Sequence, residues 1–360
     1  MRRSVLALAI LLSVLPGHGP AAQPAQARNV VLITLDGLRW QEFFTGADRD
    51  YFKKQKDGKP GPAELRFWRT DATERRKLLM PFVWTTIAAK GQILGDASKG
   101  SSVRLTNGLW FSYPGYNEML SGAADARIDS NDKVPNPNVT VLEWLNGRPG
   151  FRGRVAAFGS WDVLPFIVNT GRSRIPVGSG FTPVPAPATE HERALNELAD
   201  DLPPYWSYGT FDAPIVYAAL DALRTKKPRV LYVMLGEGDE WAHEGRYDLY
   251  LDATFRADRF IKRVWDTLQS LPEYRGQTTL IVTTDHGRGD TTKDWSDHGR
   301  DVPAAVATWL VALGPTVAPL GLRDGVVATT SQIAATVAAA VGEDFRRGSP
   351  KAAAPIPLSK

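Results

Sequence analysis

The chain of 360 residues contains no cysteine. Disulfide bonds, cysteine-ligated metal sites and cysteine nucleophiles are therefore excluded. Any metal must be held by His, Asp, Glu or backbone oxygen atoms. Histidine is scarce as well, with five in the whole chain, so several histidines beside acidic residues would indicate a function.

Long hydrophobic runs and a strong net charge are also missing. A membrane-spanning helix needs about 20 apolar residues, and no stretch of the sequence reaches that length. Lys and Arg number 43 against 39 Asp and Glu, a formal net charge of +4, whereas nucleic-acid-binding domains usually carry a much stronger basic bias. We therefore expect neither a membrane span in the mature protein nor nucleic-acid binding.

The N-terminus has the three parts of a secretory signal peptide. Arg2 and Arg3 are positive, residues 5–15 are almost entirely apolar, and residues 25–27 (Ala-Gln-Ala) fit a small-x-small cleavage site. The alternative is an uncleaved N-terminal anchor. We expect residues 1–27 to be removed and the mature protein to be exported, either to a periplasm or out of the cell.

Several apolar runs rich in β-branched residues predict strands buried on both faces, as in a parallel sheet. The clearest runs cover residues 29–35, 230–235 and 278–284, with further candidates at 154–158 and 305–313. Helical patterns lie between them, at residues 81–90, 214–224, 249–268 and 330–341. Strands that alternate with helices predict an α/β protein, a three-layer α/β/α sandwich around a mainly parallel central sheet.

We expect residues 28–345 to form a single domain. Two stretches within it are typical of surface insertions: residues 48–76 are dense in charge, and residues 171–201 are rich in proline. We expect both to lie over the active edge of the sheet, where loops usually determine specificity. Residues 346–360 are predicted to be a disordered tail.

Acidic residues follow the three clearest strands. In an open α/β sheet, ligands bind beyond the carboxyl ends of the strands, and these runs are followed by Asp36, Asp239 and Asp285. Any one of these aspartates could instead be a helix N-cap. Three of them at strand ends, two with histidines nearby, favour a metal site.

Three histidines lie in acidic, glycine-containing segments. His243 comes four residues after Asp239, His286 is adjacent to Asp285, and His298 stands between Asp and Gly. If a helical turn follows the strand, Asp239 and His243 share a face and can chelate one ion. A lone histidine is more often structural, but three in such settings favour metal. Imidazole and carboxylate suit zinc, with manganese or iron possible, and the number of ligands indicates two ions.

Ser112 is the candidate nucleophile. It lies just before a predicted helix that has Pro114 in its first turn and ends at Gly122. The serine could simply cap this helix. However, free backbone N–H groups at a helix start also favour a bound phosphate. A nearby cation would activate a hydroxyl that is otherwise a weak nucleophile.

Taken together and in this order, the motifs resemble those of the alkaline phosphatase superfamily, in particular its nucleotide pyrophosphatase/phosphodiesterase-like branch. The resemblance spans about residues 29–342, and it depends on the ordered set because each motif alone is weak. The motifs are Leu35-Asp36-Gly37, Ser112-Tyr113-Pro114, Ser121-Gly122, Asp239 with His243, Thr284-Asp285-His286-Gly287 and Asp297-His298-Gly299.

The resemblance implies two zinc ions and hydrolysis of a small phosphate-ester substrate. Ser112 would attack phosphorus in line with the leaving group and form a phosphoseryl intermediate. The first zinc would be held by Asp239, His243 and His298. The second would be held by Asp36, Asp285, His286 and the Ser112 oxygen.

The resemblance also implies an asparagine beside the non-bridging phosphate oxygens, for which Asn107 and Asn131 are candidates. Tyr113 is a candidate for stacking on a base or sugar. The chain departs from the branch at the nucleophile, where threonine is frequent and Ser112 stands here. It also has no arginine immediately beside Ser112, unlike the phosphatases that give the superfamily its name.

Three other functions fit parts of the pattern. A sulfatase needs Cys or Ser followed by x-Pro-x-Arg, but Tyr116 stands where that arginine belongs. A non-catalytic, envelope-located metal-binding protein would fit the fold, although no expected ligand position is vacant. A metal-independent Ser-His-Asp hydrolase would need a Gly-x-Ser-x-Gly elbow, and Ser112 does not lie in one.

Overall fold

The computed structural model describes residues 27–359. Residues 1–26 of the predicted signal segment therefore lie outside the described part. Among the helices of residues 27–359, none combines the length and the apolar character needed to cross a membrane.

Short strands and helices alternate along the chain. The strands are β1 (Asn29–Leu35), β2 (Gln92–Leu94), β3 (Ser102–Arg104), β4 (Val155–Gly159), β5 (Val177–Ser179), β6 (Val230–Leu235), β7 (Thr278–Thr283), β8 (Ala307–Thr308), β9 (Leu310–Leu313), β10 (Gly321–Leu322) and β11 (Val327–Thr329). The α-helices are α1 (Trp40–Thr45), α2 (Pro62–Phe67), α3 (Ala72–Leu79), α4 (Ala88–Lys90, continuing a π-helical turn at Val83–Ile87), α5 (Ser112–Ser121), α6 (Val141–Asn146), α7 (Leu164–Ile167), α8 (Thr170–Ser173), α9 (Glu190–Asp201), α10 (Asp212–Thr225), α11 (Glu237–His243), α12 (Tyr247–Ser270) and α13 (Ile333–Ala340).

Eight strands form one sheet in the order β10-β2-β9-β7-β1-β6-β4-β5, and β11-β3-β8 form a small second sheet. The run from β7 to β5 is parallel, while β9 is antiparallel to β7. In the centre, β1 pairs with β6 up to Leu35 and Leu235, and with β7 up to Thr34 and Thr283. The carboxyl ends of these three strands therefore meet at one edge, and the predicted mainly parallel sheet is confirmed.

Strand β1 is buried on both faces by two apolar cores. Val31, Ile33 and Leu35 enter the core formed with α10 and α12. Val30 and Leu32 enter the opposite core, formed with α5, α6 and α13. Successive side chains of a strand point to opposite faces, and each fully buried Val, Leu or Ile contributes about 1.5–3 kcal/mol. Both layers of helices thus hold the central strand, and the predicted three-layer sandwich is confirmed.

The single strand predicted at residues 305–313 is corrected to two strands in different sheets. Strand β8 belongs to the small sheet and β9 to the large one. Trp309 separates them. Its ring is fully buried and stacks on Phe43 with centroids 3.9 Å apart, and its indole N–H donates to the Leu38 carbonyl at 2.9 Å. The packing of this one large side chain divides the predicted strand into β8 and β9.

The tail that we expected to be disordered packs against the domain. Ile356 and Leu358 are buried. The Ile356 N–H donates to the Thr336 hydroxyl at 2.9 Å, and the Gln92 amide donates to the Leu358 carbonyl at 2.6 Å. The expectation is corrected for residues 346–359, because spaced apolar residues and backbone hydrogen bonds hold this low-complexity segment in place.

The two predicted insertions contain regular structure. Residues 48–76 include α2 and the first five residues of α3, and Arg66 contacts Asp252 of α12 at 2.8 Å. Residues 171–201 supply the edge strand β5 and helix α9, whose Glu192 pairs with Lys226 at the end of α10 at 2.9 Å. The second stretch is therefore part of the sandwich itself, which its proline content did not indicate.

Candidate functional site

The predicted metal ligands and Ser112 converge at the carboxyl edge of the central strands. Strand β1 leads directly into Asp36, and β7 leads into Asp285 and His286. Strand β6 leads into α11, which carries Asp239 and His243 one turn apart. His298 comes from the loop after β7, and Ser112 begins α5.

Asp239, His243 and His298 form the first ligand group. The Asp239 Oδ2 atom lies 3.0 Å from His243 Nε2, and His243 Nε2 lies 3.0 Å from His298 Nε2. One ligand atom from each residue lies within 4.8 Å of the others. Two imidazole nitrogens and a carboxylate oxygen thus lie close enough together to hold one ion, and they belong to the set that the resemblance implied for the first zinc.

A second group surrounds His286. Its Nε2 atom lies 3.3 Å from Asp36 Oδ1, 3.5 Å from Asp285 Oδ2 and 3.3 Å from the Ser112 hydroxyl. Asp239 Oδ1 lies 3.7 Å from the same nitrogen, so Asp239 adjoins both groups. Among residues 27–359, the buried atoms Asp36 Oδ1 and Asp285 Oδ2 have no hydrogen-bond partner. Buried carboxylate oxygens need a partner, and a divalent cation fits this donor set.

Neighbouring groups orient the ligand atoms of the second group. The Tyr116 hydroxyl donates to Asp36 Oδ2 at 2.9 Å, and the Gly37 N–H donates to Asp285 Oδ1 at 3.1 Å. His286 Nδ1 lies 2.8 Å from the Gly287 carbonyl, so Nδ1 donates there and Nε2 is the nitrogen that faces Asp36, Asp285 and Ser112. Such contacts fix a metal ligand's orientation and tautomer, and here they leave one atom of each ligand free for an ion.

Burial and neighbouring charges strongly shift the pKa values of the site residues. Burial and the neighbouring Asp36 raise the pKa of Asp285 well above its usual range. Burial opposes protonation of His286, but Asp285 and Asp36 raise its pKa to about 9. Burial and the charge of His286 lower the pKa of His298 to about 2. Crowded carboxylates beside the neutral imidazole of His298 favour a bound cation.

Helix α5 brings Ser112 close to these ligands. A Cβ atom at Gly115 would lie 2.5 Å from the Asp285 carbonyl oxygen, so only glycine allows the helix start to approach the end of β7 this closely. The Ser112 side chain is 5% exposed. Pro114 has no N–H, and the Gly115 N–H donates to the Phe111 carbonyl at 3.0 Å. The Tyr113 N–H donates to Asn131 Oδ1, so among the described residues the Ser112 N–H is the donor in the first turn of α5 that has no hydrogen-bond partner.

Asn107 has a different function from the predicted substrate contact. Its Oδ1 atom accepts from the N–H groups of Leu109 at 2.8 Å and Trp110 at 2.9 Å, and its amide donates to Glu118 at 3.0 Å. Trp110 has a left-handed backbone with φ 52°, which is unfavourable for a bulky residue. Asn107 thus stabilises the strained turn before the nucleophile, and the substrate contact proposed for it is corrected.

Asn131 faces the cleft beside the nucleophile, whereas Tyr113 does not. The Asn131 Oδ1 atom accepts from the Tyr113 N–H at 3.0 Å, and within the described residues its amide nitrogen has no hydrogen-bond partner. The Tyr113 hydroxyl donates to the Val134 carbonyl at 2.6 Å, away from the cleft, and the side chain is buried. The stacking role predicted for Tyr113 is therefore corrected, and the substrate contact of Asn131 stays a prediction.

Comparisons with known proteins agree with this architecture. The family model described as Metalloenzyme superfamily matches residues 207–342, the stretch with β6, α11, β7 and the His298 loop. No curated protein matches the sequence. A solved protein in the alkaline phosphatase superfamily from Vibrio parahaemolyticus is 12% identical, with a TM-score of 0.54 over 90% of this chain and 69% of that chain. The fold is alkaline phosphatase-like.

Other solved structures with this alkaline phosphatase-like fold have different ligands. A murine ectonucleotide pyrophosphatase/phosphodiesterase, an inactive variant in complex with AMP, is 11% identical, with a TM-score of 0.51 over 88% of this chain and 95% of that chain. A protein in complex with its substrate D-glucosamine-2-N,6-O-disulfate is also 11% identical, with a TM-score of 0.54 over 93% of this chain and 81% of that chain. At these identities the likeness shows the fold alone, so it does not single out the predicted phosphodiesterase-like branch.

An open cleft of about 630 Å³ lies above Ser112 and the ligand groups of the alkaline phosphatase-like domain. Its wall comes from residues 131–133, residues 161–163, Tyr208 and Glu240, and not from the two predicted insertions. Lys133 pairs with Asp162 at 2.7 Å, and the Tyr208 hydroxyl donates to Glu240 at 2.9 Å. Neither of the two stretches expected over the active edge lines this cleft, and the segments that do line it carry no recognisable motif.

We expect Asn131→Asp to lower kcat/KM for an aryl phosphate by about 10- to 100-fold. The substitution keeps an oxygen for the Tyr113 N–H but removes the amide donor, and a hydrogen bond to a charged group contributes about 1.5–3 kcal/mol. Asn146→Asp is the matched control, because the Asn146 Oδ1 atom also accepts a backbone N–H, from Gly153 at 2.9 Å, far from the cleft. Steady-state kinetics test this, and unchanged kcat/KM in Asn131→Asp would remove Asn131 from substrate binding.

Proposed function

We propose that this protein is a metal-dependent phosphoric ester hydrolase with two divalent ions, zinc by preference, and a phosphoseryl intermediate on Ser112. The observation that carries the proposal is the position of the Ser112 hydroxyl, 3.3 Å from His286 Nε2, beside two ligand groups that Asp239 joins. This distance supports the proposal, because an activated Ser112 hydroxyl would lie next to the point where cations would bind. A two-metal site stabilises both the attacking and the leaving oxygen of an in-line displacement.

Different residues of this chain would have different roles in the reaction. Asp239, His243 and His298 would hold one ion, and Asp36, Asp285 and His286 would hold the other together with the Ser112 oxygen. Bound ions would supply positive charge that lowers the pKa of a nearby hydroxyl or water.

Ser112 then attacks phosphorus, the Oγ–P bond forms, and the bond to the leaving oxygen breaks as the alcohol departs with a proton. The Asn131 amide and the Ser112 N–H orient the non-bridging oxygens. Water next cleaves the Oγ–P bond, which releases phosphate and restores the serine hydroxyl.

The structure favours this reaction over two alternatives. A Ser-His-Asp triad needs a carboxylate on the second imidazole nitrogen, but His286 Nδ1 contacts the Gly287 carbonyl. A sulfatase needs arginine where Tyr116 stands, and here the Tyr116 hydroxyl donates to Asp36.

The proposal predicts about two equivalents of bound zinc and metal-dependent hydrolysis of aryl phosphates. Chelation should abolish turnover and zinc should restore it, because without the ions the site lacks the positive charge that activates the Ser112 hydroxyl. The measurement is metal content together with rates on an aryl phosphate monoester, a diester and an aryl sulfate. Faster hydrolysis of the sulfate, or turnover without metal, would contradict the proposal. Metal binding without any turnover would support the non-catalytic alternative.

A further inference from the structure

Arg288 is a buried cation at the centre of the candidate metal site. Its side chain is 0% exposed. Its Nε atom donates to the Gly37 carbonyl at 3.2 Å, and its Nη2 atom donates to the Asp239 carbonyl at 3.1 Å. The guanidinium also pairs with the Asp239 carboxylate and donates to the Ser296 carbonyl.

These contacts join the four segments that carry the aspartate and histidine ligands. Gly37 follows Asp36, Ser296 stands two residues before His298, and Arg288 itself stands two residues after His286. Guanidinium has five donors in a rigid planar arrangement, so one side chain can tie the ends of β1, β6 and β7 to the His298 loop.

Arg288 also balances the charge of the site. Burial opposes ionisation of Asp239, but Arg288 and His243 hold its pKa well below the usual range. The Arg288 guanidinium donates to Asp239 Oδ1, while Asp239 Oδ2 lies 3.0 Å from His243 Nε2. The carboxylate therefore keeps one oxygen for an ion even with the arginine in place.

We propose that Arg288 is a positioning residue whose fixed positive charge keeps the ligand groups assembled when no metal is bound. The proposal rests on the metal-binding function proposed above. Without Arg288, the buried carboxylates Asp36, Asp239 and Asp285 face one another with no permanent counter-charge. Bound metal supplies that charge, so loss of Arg288 weakens the metal-free protein more than the metal-loaded one.

The test compares melting temperatures with and without zinc. Arg288→Met, Arg288→Lys and the wild type are measured after chelator treatment and again with saturating Zn²⁺. Arg39→Met is the matched control, since Arg39 is equally buried, pairs with Glu42 at 2.6 Å and contacts no predicted metal ligand. Removing one partner of a buried charge pair is strongly destabilising, so we expect Arg288→Met to lower the metal-free melting temperature by about 5–10 °C.

Zinc should reduce that deficit by at least about half in Arg288→Met, whereas the Arg39→Met deficit should be the same with and without zinc. Arg288→Lys keeps the charge but loses the planar donor array, so its deficit should be intermediate. Equal deficits for Arg288→Met in both conditions would overturn the proposal and leave Arg288 with a structural role only.

Folding that occurs only with zinc supports the proposal. If Arg288→Met does not fold in either condition, the test uses Arg288→Lys instead. A smaller melting-temperature deficit of Arg288→Lys with zinc than without it supports the proposal, and equal deficits overturn it. A wild type that zinc does not stabilise would instead disprove the proposed metal-binding function.

Discussion

Replacing Ser112 with alanine should lower kcat/KM for aryl phosphates by about 10⁴-fold or more. Among the described residues that line the cleft, Ser112 is the only serine or threonine. Asp36, Asp285 and His286 remain in the variant, so zinc should still raise its melting temperature by nearly the wild-type amount. The measurements are steady-state kinetics and thermal melts with and without zinc.

Ser121→Ala is the control for Ser112→Ala. Ser121 ends the same helix, is equally buried at 5% exposure and donates to the Ala123 carbonyl at 3.1 Å, away from the ligands. It should retain wild-type turnover. When the wild-type protein is denatured during turnover, phosphate should remain covalently bound to the peptide that contains Ser112. Activity of Ser112→Ala within tenfold of the wild type would exclude the proposed nucleophile.

The second large effect is expected for Gly37→Ala, which should weaken zinc binding by about 100-fold or more. Gly37 has φ 59°, and a Cβ atom there would lie 2.5 Å from Asp239 Oδ1 and 2.8 Å from Arg288 Nε. The added methyl group must therefore displace the carboxylate shared by both ligand groups. Changes beside metal ligands typically lower affinity by about 10- to 100-fold, and displacement of the ligand itself adds to that loss. Titration against a competing chelator measures the affinity.

Gly276→Ala separates the steric effect from backbone strain. Gly276 has φ 65° with no atom within 4 Å of the added Cβ, so it carries the same conformational penalty of about 1 kcal/mol without moving a ligand. We expect Gly276→Ala to lower stability slightly and to leave zinc affinity unchanged. A similar loss of affinity in both variants would show that the contact of Gly37 with Asp239 is unimportant.

The central sheet and the ligand groups could be predicted because their signals are local. Strand β1 is a continuous apolar run, and such a run is typical of a strand buried on both faces. Asp36 and Asp285 directly follow such runs, and parallel strands bring their carboxyl ends together whatever the sequence separation. Five histidines in 360 residues left few candidates to choose among.

Other features depend on side-chain direction, which a linear pattern does not contain. Asn107 and Asn131 were equal candidates, and only the turn at Trp110 directs the first toward Glu118. Arg288 was missed because an arginine after a His-Gly pair carries no signal of burial. Residues 131–133 and 161–163 reach the cleft only through the packing of irregular segments, which have no periodicity.

If the proposed metal binding takes place, the spacing of the candidate ligands along the chain would determine when metal can be acquired. The first group needs His298 and the second needs both Asp36 and His286, so every nascent fragment that stops before residue 286 lacks an essential ligand of each group. Synthesis must therefore pass residue 286 before either proposed ion would have a full set of donors. If the predicted export takes place, uptake follows translocation, and the metal content of the protein reflects the compartment in which the chain finishes folding.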